Sequence, residues 1–255
     1  MKRGQEDKMS FLLFSCSLVL LSSCLLVFLS SCLPVFLSSC LLVFLSIHTM
    51  SITITTLLPA HFAQLEELQR ICYPSLHADE LLRVEHFASH FRLFPEGQHV
   101  ALNGDLVVGQ SSTFRTALDF DHPDHSFIEI IAGGFFTNHD TSGSYLYGAD
   151  ISTHPEYRRR GIASQLYDAR KVLIRQLGLC GMVAGGMIPG YRHYRSALSV
   201  EEYVARVVAG QLADPTLSAQ LRNGFSVRGI LHDYLRDEVN GNDATLIVWE
   251  PDAAE

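Results

Sequence analysis

A short basic turn in front of a helix is the segment of this sequence best suited to bind a ligand. Residues 158–163 read Arg-Arg-Arg-Gly-Ile-Ala, after the apolar run 145–151 and before an amphipathic stretch that extends to about Leu177. The order predicts a strand, a tight turn and a helix N-terminus, where unpaired N–H groups and the helix dipole attract anions. Gly161 would let the backbone approach a phosphate closely. We therefore expect a phosphate-bearing ligand here, although the spacing is too short for a Walker loop.

This turn resembles the acyl-CoA-binding signature of the GNAT superfamily of N-acyltransferases. The pattern Arg-x-x-Gly-x-Ala is met by Arg158, Gly161 and Ala163. The resemblance implies that acetyl-CoA is the cosubstrate, that its pantetheine arm pairs with the strand before the turn, and that its pyrophosphate rests on the turn. The cofactor-binding residues implied in this way are Ile151, Ser152, Thr153, Arg158, Arg159, Arg160, Gly161, Ile162, Ala163 and Ser164.

The C-terminal half carries a narrower resemblance. Segments 188–191, 201–204 and 220–225 are similar to the acetyltransferase half of bifunctional proteins that fuse a GNAT domain to a carbon–nitrogen hydrolase. The resemblance covers roughly residues 50–250, and the sequence holds no counterpart of the hydrolase half. We therefore expect an N-acetyltransferase, with an amine attacking the thioester directly, and the resemblance does not extend to hydrolase activity. The alternative is a non-catalytic acyl-CoA-binding regulatory module.

Two carboxylates are candidates for the general base that removes the proton of the amine. Asp150 lies on the strand before the turn, beside the expected thioester, and is the first choice as base or substrate anchor. The competing interpretation is an Asp that only fixes the strand end by hydrogen bonds. Glu129, on a neighbouring predicted strand, is the second choice.

The general acid is harder to assign, because the sequence departs from the family pattern. Many GNAT enzymes carry a Tyr five residues before the position of Phe225, and this chain has Gln220 there. A long insertion at about 187–213 supplies Tyr191 and Tyr194, either of which is a candidate for protonating the leaving thiolate. Aromatic packing of the insertion is the competing interpretation. The chemistry needs no metal, and none is expected.

The first 49 residues differ from the rest of the chain. From about Ser15 to Ser46 an apolar sequence repeats every eight residues, a period that does not close on an α-helix. Three interpretations compete: a mis-called start with the working protein beginning at Met50, a membrane anchor, and a signal peptide with an unusually long apolar run. We favour the first, which gives a leader at 1–49 and an N-acetyltransferase domain at 50–255.

Charge and cysteine content limit the partners and the compartment. The chain has 19 Lys and Arg residues and 27 Asp and Glu residues. The leader contains three of the basic residues and two of the acidic ones. The domain is therefore acidic, which argues against a nucleic-acid surface and suits a small-molecule or protein amine. Outside the leader only Cys72 and Cys180 remain, so a reducing compartment such as the cytoplasm is expected. A membrane partner is expected only with a native leader, and a homodimer stays open.

Hydrophobic periodicity and turn residues predict the elements that position these groups. Strands are expected near 51–57, in a hairpin at 100–109, and at 145–151, with a further apolar segment at 127–132. Helices are expected at 59–71, 78–91, 162–177, 199–209 and 215–222, with strands at 180–184, 225–234 and 244–249. The fold class is therefore α/β (α+β): a GNAT-like mixed, mostly antiparallel central sheet flanked by helices and splayed at the acyl-CoA site.

Overall fold

Seven strands form one mixed sheet in the computed structural model, which describes residues 51–251. The leader at 1–49 and its three interpretations lie outside the described residues. The spatial order is β1-β2-β3-β4-β5-β7-β6, and within the described residues β4 and β5 form the one parallel pair. The expected mixed, mostly antiparallel sheet is thereby confirmed. The strands are β1 Ile52–Thr56, β2 His99–Asn103, β3 Leu106–Thr116, β4 Tyr145–Thr153, β5 Gly181–Met187, β6 Ser226–Leu231 and β7 Ala244–Trp249.

Helices cover both faces of this sheet, because its strands alternate apolar side chains between two cores. On β4, Leu146 faces one core and Tyr147 the other, and on β5 Met182 and Val183 divide in the same way. Helices α1 and α2 pack on the face of Tyr147, and α4, α5 and α6 on the face of Leu146. The helices are α1 Phe62–Cys72, α2 Val84–Leu93, α3 Phe127–Ile130, α4 Ile162–Leu177, α5 Val200–Val208 and α6 Leu217–Arg222.

The long helix α4 has the expected start and stop signals. Gly161 at its N-cap and Gly178 at its C-cap both adopt left-handed backbone conformations, with φ of 76° and 64°. Its buried face carries Leu166, Leu173 and Ile174, at the spacing of an amphipathic helix. This helix packs along the sheet and brings its N-terminus to the end of β4.

The segment predicted as an additional strand at 127–132 is helical. Ser126 and Glu129 form a capping box, in which Glu129 accepts hydrogen bonds from the Ser126 N–H at 3.0 Å and hydroxyl at 2.6 Å. The following Gly133 and Gly134 have positive φ and turn the chain immediately. Local capping and the glycine pair therefore outweigh the β-propensity of the apolar residues. The placement of Glu129 on a strand is wrong.

The helix predicted at 78–91 also differs in its start. A 3-10 turn at Ala78–Glu80 comes first, and α2 begins at Val84. The remaining predicted helices and strands lie within a few residues of their observed bounds, except that β3 continues to Thr116, well beyond the hairpin predicted at 100–109. Between residues 51 and 251, no helix has both the length and the apolar character needed to cross a bilayer.

Candidate active site

The candidate site is a gap in the middle of the sheet where β4 and β5 diverge. The two strands pair only from Tyr145–Gly181 to Tyr147–Val183, whereas β4 continues to Thr153 and β5 to Met187. A cavity of about 120 Å³ lies in the gap and is lined by residues from both faces of the sheet. Its polar lining comes from β4, from α1, α4 and α6, and from loops that include the one between β6 and β7. The side chains with polar or charged groups that line it are Gln69, Tyr73, Glu80, Asp150, Tyr167, Arg170, Thr216, Gln220 and Tyr234.

A bulge distorts β4 beside the cavity. Ser112 of β3 pairs with Asp150 and Thr113 pairs with Gly148, so Ala149 has no partner on β3. Gly148 is required by close packing, because a Cβ atom there would lie 2.6 Å from Nη1 of Arg170. The bulge frees the backbone N–H of Ala149 from the regular ladder at the point where the strands separate.

Asp150 is a buried carboxylate held by three donors. Its Oδ2 accepts hydrogen bonds from the side-chain amides of Gln69, at 2.5 Å, and Gln110, and its Oδ1 accepts one from the Tyr73 hydroxyl. A carboxylate has about four acceptor positions, so Oδ1 keeps one for a further donor. Burial raises the pKa of Asp150 to about 6, against the opposing hydrogen bonds from Tyr73 and Gln69 and the positive charge of Arg170. The group is therefore mostly ionised at neutral pH but close to its titration range, as a proton acceptor requires.

Arg170 supports this arrangement from the opposite face of the sheet. Its side chain is 1% exposed, and its Nε donates to Ser111 Oγ at 2.5 Å. Its Nη2 donates to the backbone carbonyls of Ser112, at 3.2 Å, and Asp150. The guanidinium thus ties β3 to β4 at the bulge. Within the described residues no carboxylate oxygen lies within 4.0 Å of the guanidinium. Its positive charge therefore acts on the Asp150 carboxylate from a longer distance, across β4.

Two further polar groups reach the cavity. Gln220 of α6 is 4% exposed, and its Oε1 has no hydrogen-bond partner within residues 51–251. Its amide lies against Gly186 of β5, where a Cβ atom would come within 2.6 Å of Oε1. Tyr234, on the loop after β6, is 2% exposed, and its hydroxyl lies 3.1 Å from that of Tyr147. The structure therefore places a phenol at the cavity that the sequence did not indicate.

Two loops close the cavity beyond α1. The backbone N–H and the Nε of Arg236, on the β6–β7 loop, donate to the buried carboxylate of Glu80 at 2.8 and 3.0 Å. Ser75 donates to Asp237 at 3.0 Å, and the His77 N–H donates to the Arg236 carbonyl at 2.9 Å. These contacts hold Tyr234 over the gap, and they neutralise Glu80, which leaves Asp150 as the unpaired carboxylate of the cavity lining.

The basic turn lies at the other end of the gap, beyond the end of β4. Arg158 Nε donates to the Thr153 carbonyl at 3.2 Å, and the guanidinium of Arg160 lies 4.9 Å from the ring centroid of Tyr157. Arg159 and Gly161 both have positive φ, 62° and 76°. These two left-handed residues, on either side of Arg160 and in front of α4, form a concave turn whose backbone N–H groups can converge on an anion. All three arginines are exposed, whereas Ile162 is buried and anchors the helix start.

The two tyrosines of the insertion lie elsewhere. Tyr191 and Tyr194 pack against Tyr203, with ring centroids 5.4 and 5.3 Å away, and the Tyr191 hydroxyl donates to the Leu198 carbonyl. Neither lines the cavity. Glu129 is exposed on α3 and is occupied by its capping contacts. The structure thus brings Asp150 and the basic turn to one gap, and it gives the other three candidates no contact with that gap.

Sequence reasoning missed most of the cavity. One missed group had a visible signal: Arg170 falls on the apolar face of α4, between Leu166 and Leu173, where a charged residue must find buried partners. The others had none, because they come from segments that are distant in sequence. The missed cavity residues with polar or charged side chains are Gln69, Tyr73, Glu80, Tyr167, Arg170, Thr216 and Tyr234.

Comparison with known proteins agrees with this geometry. A family model described as the acetyltransferase (GNAT) family matches residues 62–185. The uncharacterized N-acetyltransferase YkwB of Bacillus subtilis (strain 168) is 33% identical over 201 residues, which are 78% of this chain and 89% of that protein. The probable hydrolase YhcX of the same organism is 39% identical over 184 residues, 72% of this chain. The chain spans about a third, 35%, of the length of YhcX, which fits the pairing of an acetyltransferase half with a hydrolase.

Solved structures show the same fold. The loading GNATL domain of CurA from Lyngbya majuscula has a TM-score of 0.68 at 18% identity, over 78% of this chain and 98% of that one. The GphF GNAT-like decarboxylase in complex with isobutyryl-CoA has a TM-score of 0.64 at 22% identity, over 78% of this chain and 98% of that one.

Proposed function

The chain belongs to the GNAT family of acetyltransferases, and from this membership and its site we propose that it transfers an acetyl group from acetyl-CoA to an amine. The observation that carries the proposal is the buried carboxylate of Asp150 at the gap between β4 and β5, with a concave basic turn at the far end of the same strand. The first group suits proton removal and the second suits a pyrophosphate.

The residues that are present fit an acyl-CoA. Beyond Tyr147 the β5-facing edge of β4 has no strand partner within residues 51–251, so Ile151 and Thr153 are available to an extended ligand arm. Two buried polar atoms along this route, Ser152 Oγ and Gln220 Oε1, have no partner among the described residues. A ligand that carries amides would satisfy such groups, and leaving them unsatisfied costs free energy. The bound thioester supplies an activated acetyl group.

The side chains divide the work of the transfer. Arg158, Arg159 and Arg160 add positive charge beside the N–H groups of residues 161–164, which bind the pyrophosphate. The Ala149 N–H, freed by the bulge, donates to the thioester carbonyl oxygen and stabilises the negative charge that develops there. Asp150 Oδ1 takes the proton of the substrate ammonium, because an alkylamine is protonated near neutral pH and cannot attack in that form.

Amine-dependent release of CoA is the experiment that tests this function. The full chain is mixed with acetyl-CoA and a panel of small amines and amine-bearing peptides, and free thiol is measured against time. Acetyl-CoA binding is measured in parallel by thermal shift. At about 100 times Kd the ligand should stabilise the protein by about 2.7 kcal/mol, a melting shift on the order of 5–10 °C.

The outcomes separate the two candidate functions. Binding with amine-dependent release supports the transferase. Binding without release for any amine favours the second candidate, a non-catalytic acyl-CoA-binding regulatory module, for which the replacement of the usual acid by Gln220 is the specific observation. Absence of binding by a folded protein would contradict both. The cytoplasm stays our proposal for the compartment, and a small-molecule or protein amine our proposal for the partner.

A further inference from the structure

Three aromatic side chains connect the surface of the protein to the cavity through hydrogen bonds. Nε2 of His125 lies 2.7 Å from the Tyr147 hydroxyl, which lies 3.1 Å from the Tyr234 hydroxyl. His125 is half-buried on the loop before α3, Tyr147 is fully buried on β4, and Tyr234 lines the cavity. Only the first of the three is reached by solvent to any extent. The three side chains therefore form a continuous hydrogen-bonded series from the surface to the cavity.

This path ends where the two strands separate. Tyr147 is the last residue of β4 that pairs with β5. The ring of Tyr234 lies so close to Gly185 of β5 that a Cβ atom there would come within 2.2 Å of its Cζ. The Tyr234 hydroxyl is thus held at the mouth of the divergence, two to three residues along β4 from Ala149 and Asp150. Asp150 and Tyr234 both line the cavity in this gap.

The direction of hydrogen-bond donation along the path follows from its outer end. Nδ1 of His125 lies 2.6 Å from the carbonyl oxygen of Pro123, which can only accept, so Nδ1 carries a proton. Burial lowers the pKa of His125, although the Pro123 carbonyl and the nearby charges of Asp124 and Glu129 oppose this effect. The imidazole is therefore neutral near pH 7, and its Nε2 accepts a hydrogen bond from Tyr147.

With His125 neutral, Tyr147 donates to His125, Tyr234 donates to Tyr147, and Tyr234 offers an oxygen lone pair to the cavity. Once His125 gains a proton on Nε2, each hydroxyl reverses, and Tyr234 offers its proton to the cavity instead. The same three residues thus have one state that takes a proton from the cavity and one state that returns it.

We propose that Tyr234, Tyr147 and His125 form a reversible proton shuttle that takes one proton from the amine nitrogen and returns it to the leaving sulfur. The inference rests on the proposed acetyl transfer. As the new C–N bond forms, the nitrogen loses a proton to Tyr234 Oη, Tyr234 passes its own proton to Tyr147, and Tyr147 passes its proton to His125 Nε2. As the C–S bond breaks with its electron pair on sulfur, the three transfers run backwards and the sulfur is protonated. Asp150 takes the separate proton of the ammonium group, so all protons are accounted for.

The shuttle explains how this chain protonates its leaving group. An amide such as Gln220 has no proton that it can give up near neutral pH, so the position that holds a Tyr in many relatives cannot act as an acid here. Tyr234 reaches the same cavity from a different loop. Tyr234 is the catalytic residue of the three, and Tyr147 and His125 are positioning residues that act through it.

Removal of single links tests the shuttle. The variants are Tyr234→Phe, Tyr147→Phe and His125→Gln, each of which keeps the size of the side chain but ends proton transfer. Tyr203→Phe is the matched control, because it removes one buried hydroxyl, bonded to Asp214 at 2.9 Å, at a distance from the cavity lining. We expect kcat to fall about 10- to 100-fold in the three variants and to stay near the original value in the control. The thermal shift with acetyl-CoA should be retained in all four.

Two readouts distinguish proton transfer from a structural role. In mixtures of H2O and D2O, a plot of kcat against the deuterium fraction should be curved for the original protein, because several protons move together. The same plot for Tyr147→Phe should be a straight line. In the free protein, nitrogen NMR of His125 should show a neutral ring protonated on Nδ1 at about pH 7.

Each outcome decides the matter. An active original protein with unchanged kcat in Tyr147→Phe overturns the shuttle alone, as does a His125 ring protonated on Nε2. An original protein that releases no CoA with any amine overturns the proposed function, and the shuttle with it. Loss of kcat in the three variants, with the curved isotope dependence lost in Tyr147→Phe, supports both.

Discussion

Arg170 donates a hydrogen bond from its guanidinium to the backbone carbonyl of Asp150, so one strand separates a buried cation from a buried carboxylate. The guanidinium belongs to the face covered by α4, and the carboxylate faces Gln69 and Tyr73 of the α1 side. The two groups do not touch, so Asp150 stays free to accept a proton while the charge of Arg170 holds down its pKa.

Replacing the carboxylate should remove most of the activity without removing acyl-CoA binding. We expect Asp150→Asn to lower kcat by about 100-fold or more, because the amide cannot take the proton of the ammonium group. The measurement is steady-state CoA release, together with the thermal shift by acetyl-CoA. Asp168→Asn, at an exposed position on α4, is the control and should behave like the original protein. Equal losses in both variants would remove Asp150 from the role of base.

The pH dependence of the rate should report the same group. Because the pKa of Asp150 in the free protein is about 6 and the ionised form is the base, kcat/KM for the amine should fall as the pH is lowered through about 6. Above that value the profile should be flat until other groups titrate. A profile without any change between about pH 5 and about pH 8 would contradict the assignment.

The pH dependence of stability should have the opposite sense. The pKa of Asp150 is raised by folding, from 3.8 to about 6, so its contribution to stability is complete below the unfolded pKa and is lost as the pH rises through about 6. The loss should amount to about 3 kcal/mol in the free energy of unfolding. Urea denaturation at several pH values, with Asp150→Asn as reference, measures it. The difference between the two proteins should change between about pH 4 and about pH 6, and a constant difference would contradict the burial of an ionisable Asp150.

Loss of the buried guanidinium should affect both stability and titration. We expect Arg170→Met to destabilise the protein by about 3 kcal/mol, because Ser111 Oγ and two strand carbonyls lose their donor in a buried place. The midpoint of the pH–rate profile should move above about 6, because a positive charge near Asp150 is gone. Arg175→Met, at an exposed position of the same helix over the ring of Trp249, is the control. An unchanged midpoint would show that the charge of Arg170 does not reach Asp150.

The two ends of α4 offer a matched pair of glycines. Gly161 and Gly178 both have positive φ and both have open space around the place of a Cβ atom. Alanine at either position should therefore cost about 1 kcal/mol of stability through backbone strain. We expect only Gly161→Ala to weaken acetyl-CoA binding, by about 10-fold, because the N–H groups of the turn point differently once its backbone relaxes. Calorimetric titration measures the affinity, and equal affinities in the two variants would remove the turn from the binding site.

Much of the fold could be predicted from local signals. Gly161 and Gly178 mark the two ends of α4, and Asn103-Gly104 marks the β2–β3 hairpin, because each turn needs a residue that tolerates positive φ. The segment at 127–132 misled the prediction, since its apolar residues favour a strand whereas Ser126 and Glu129 cap a short helix. A capping box rests on only two residues, Ser126 and Glu129, and is a weaker signal than the run of apolar residues around it.

The cavity could be predicted only in part. Asp150 and the basic turn belong to one continuous strand–turn–helix unit, so their short separation in the sequence predicts that they lie close together. Tyr234 reaches the cavity only because the β6–β7 loop folds back, through Arg236, onto Glu80 some 156 residues earlier. Such long-range contacts depend on the assembled sheet, and no local pattern in the sequence reveals them.

The narrow junction between β4 and β5 has a mechanical consequence. Three residue pairs, ending at Tyr147 and Val183, join a four-stranded half of the sheet to a three-stranded half. A ligand that lies in the gap and contacts both strands links these two halves of the sheet. With the ligand bound, the two halves of the sheet should unfold together rather than one at a time. Backbone amides in both halves should then share the slowest hydrogen exchange, because they exchange only when the whole sheet opens.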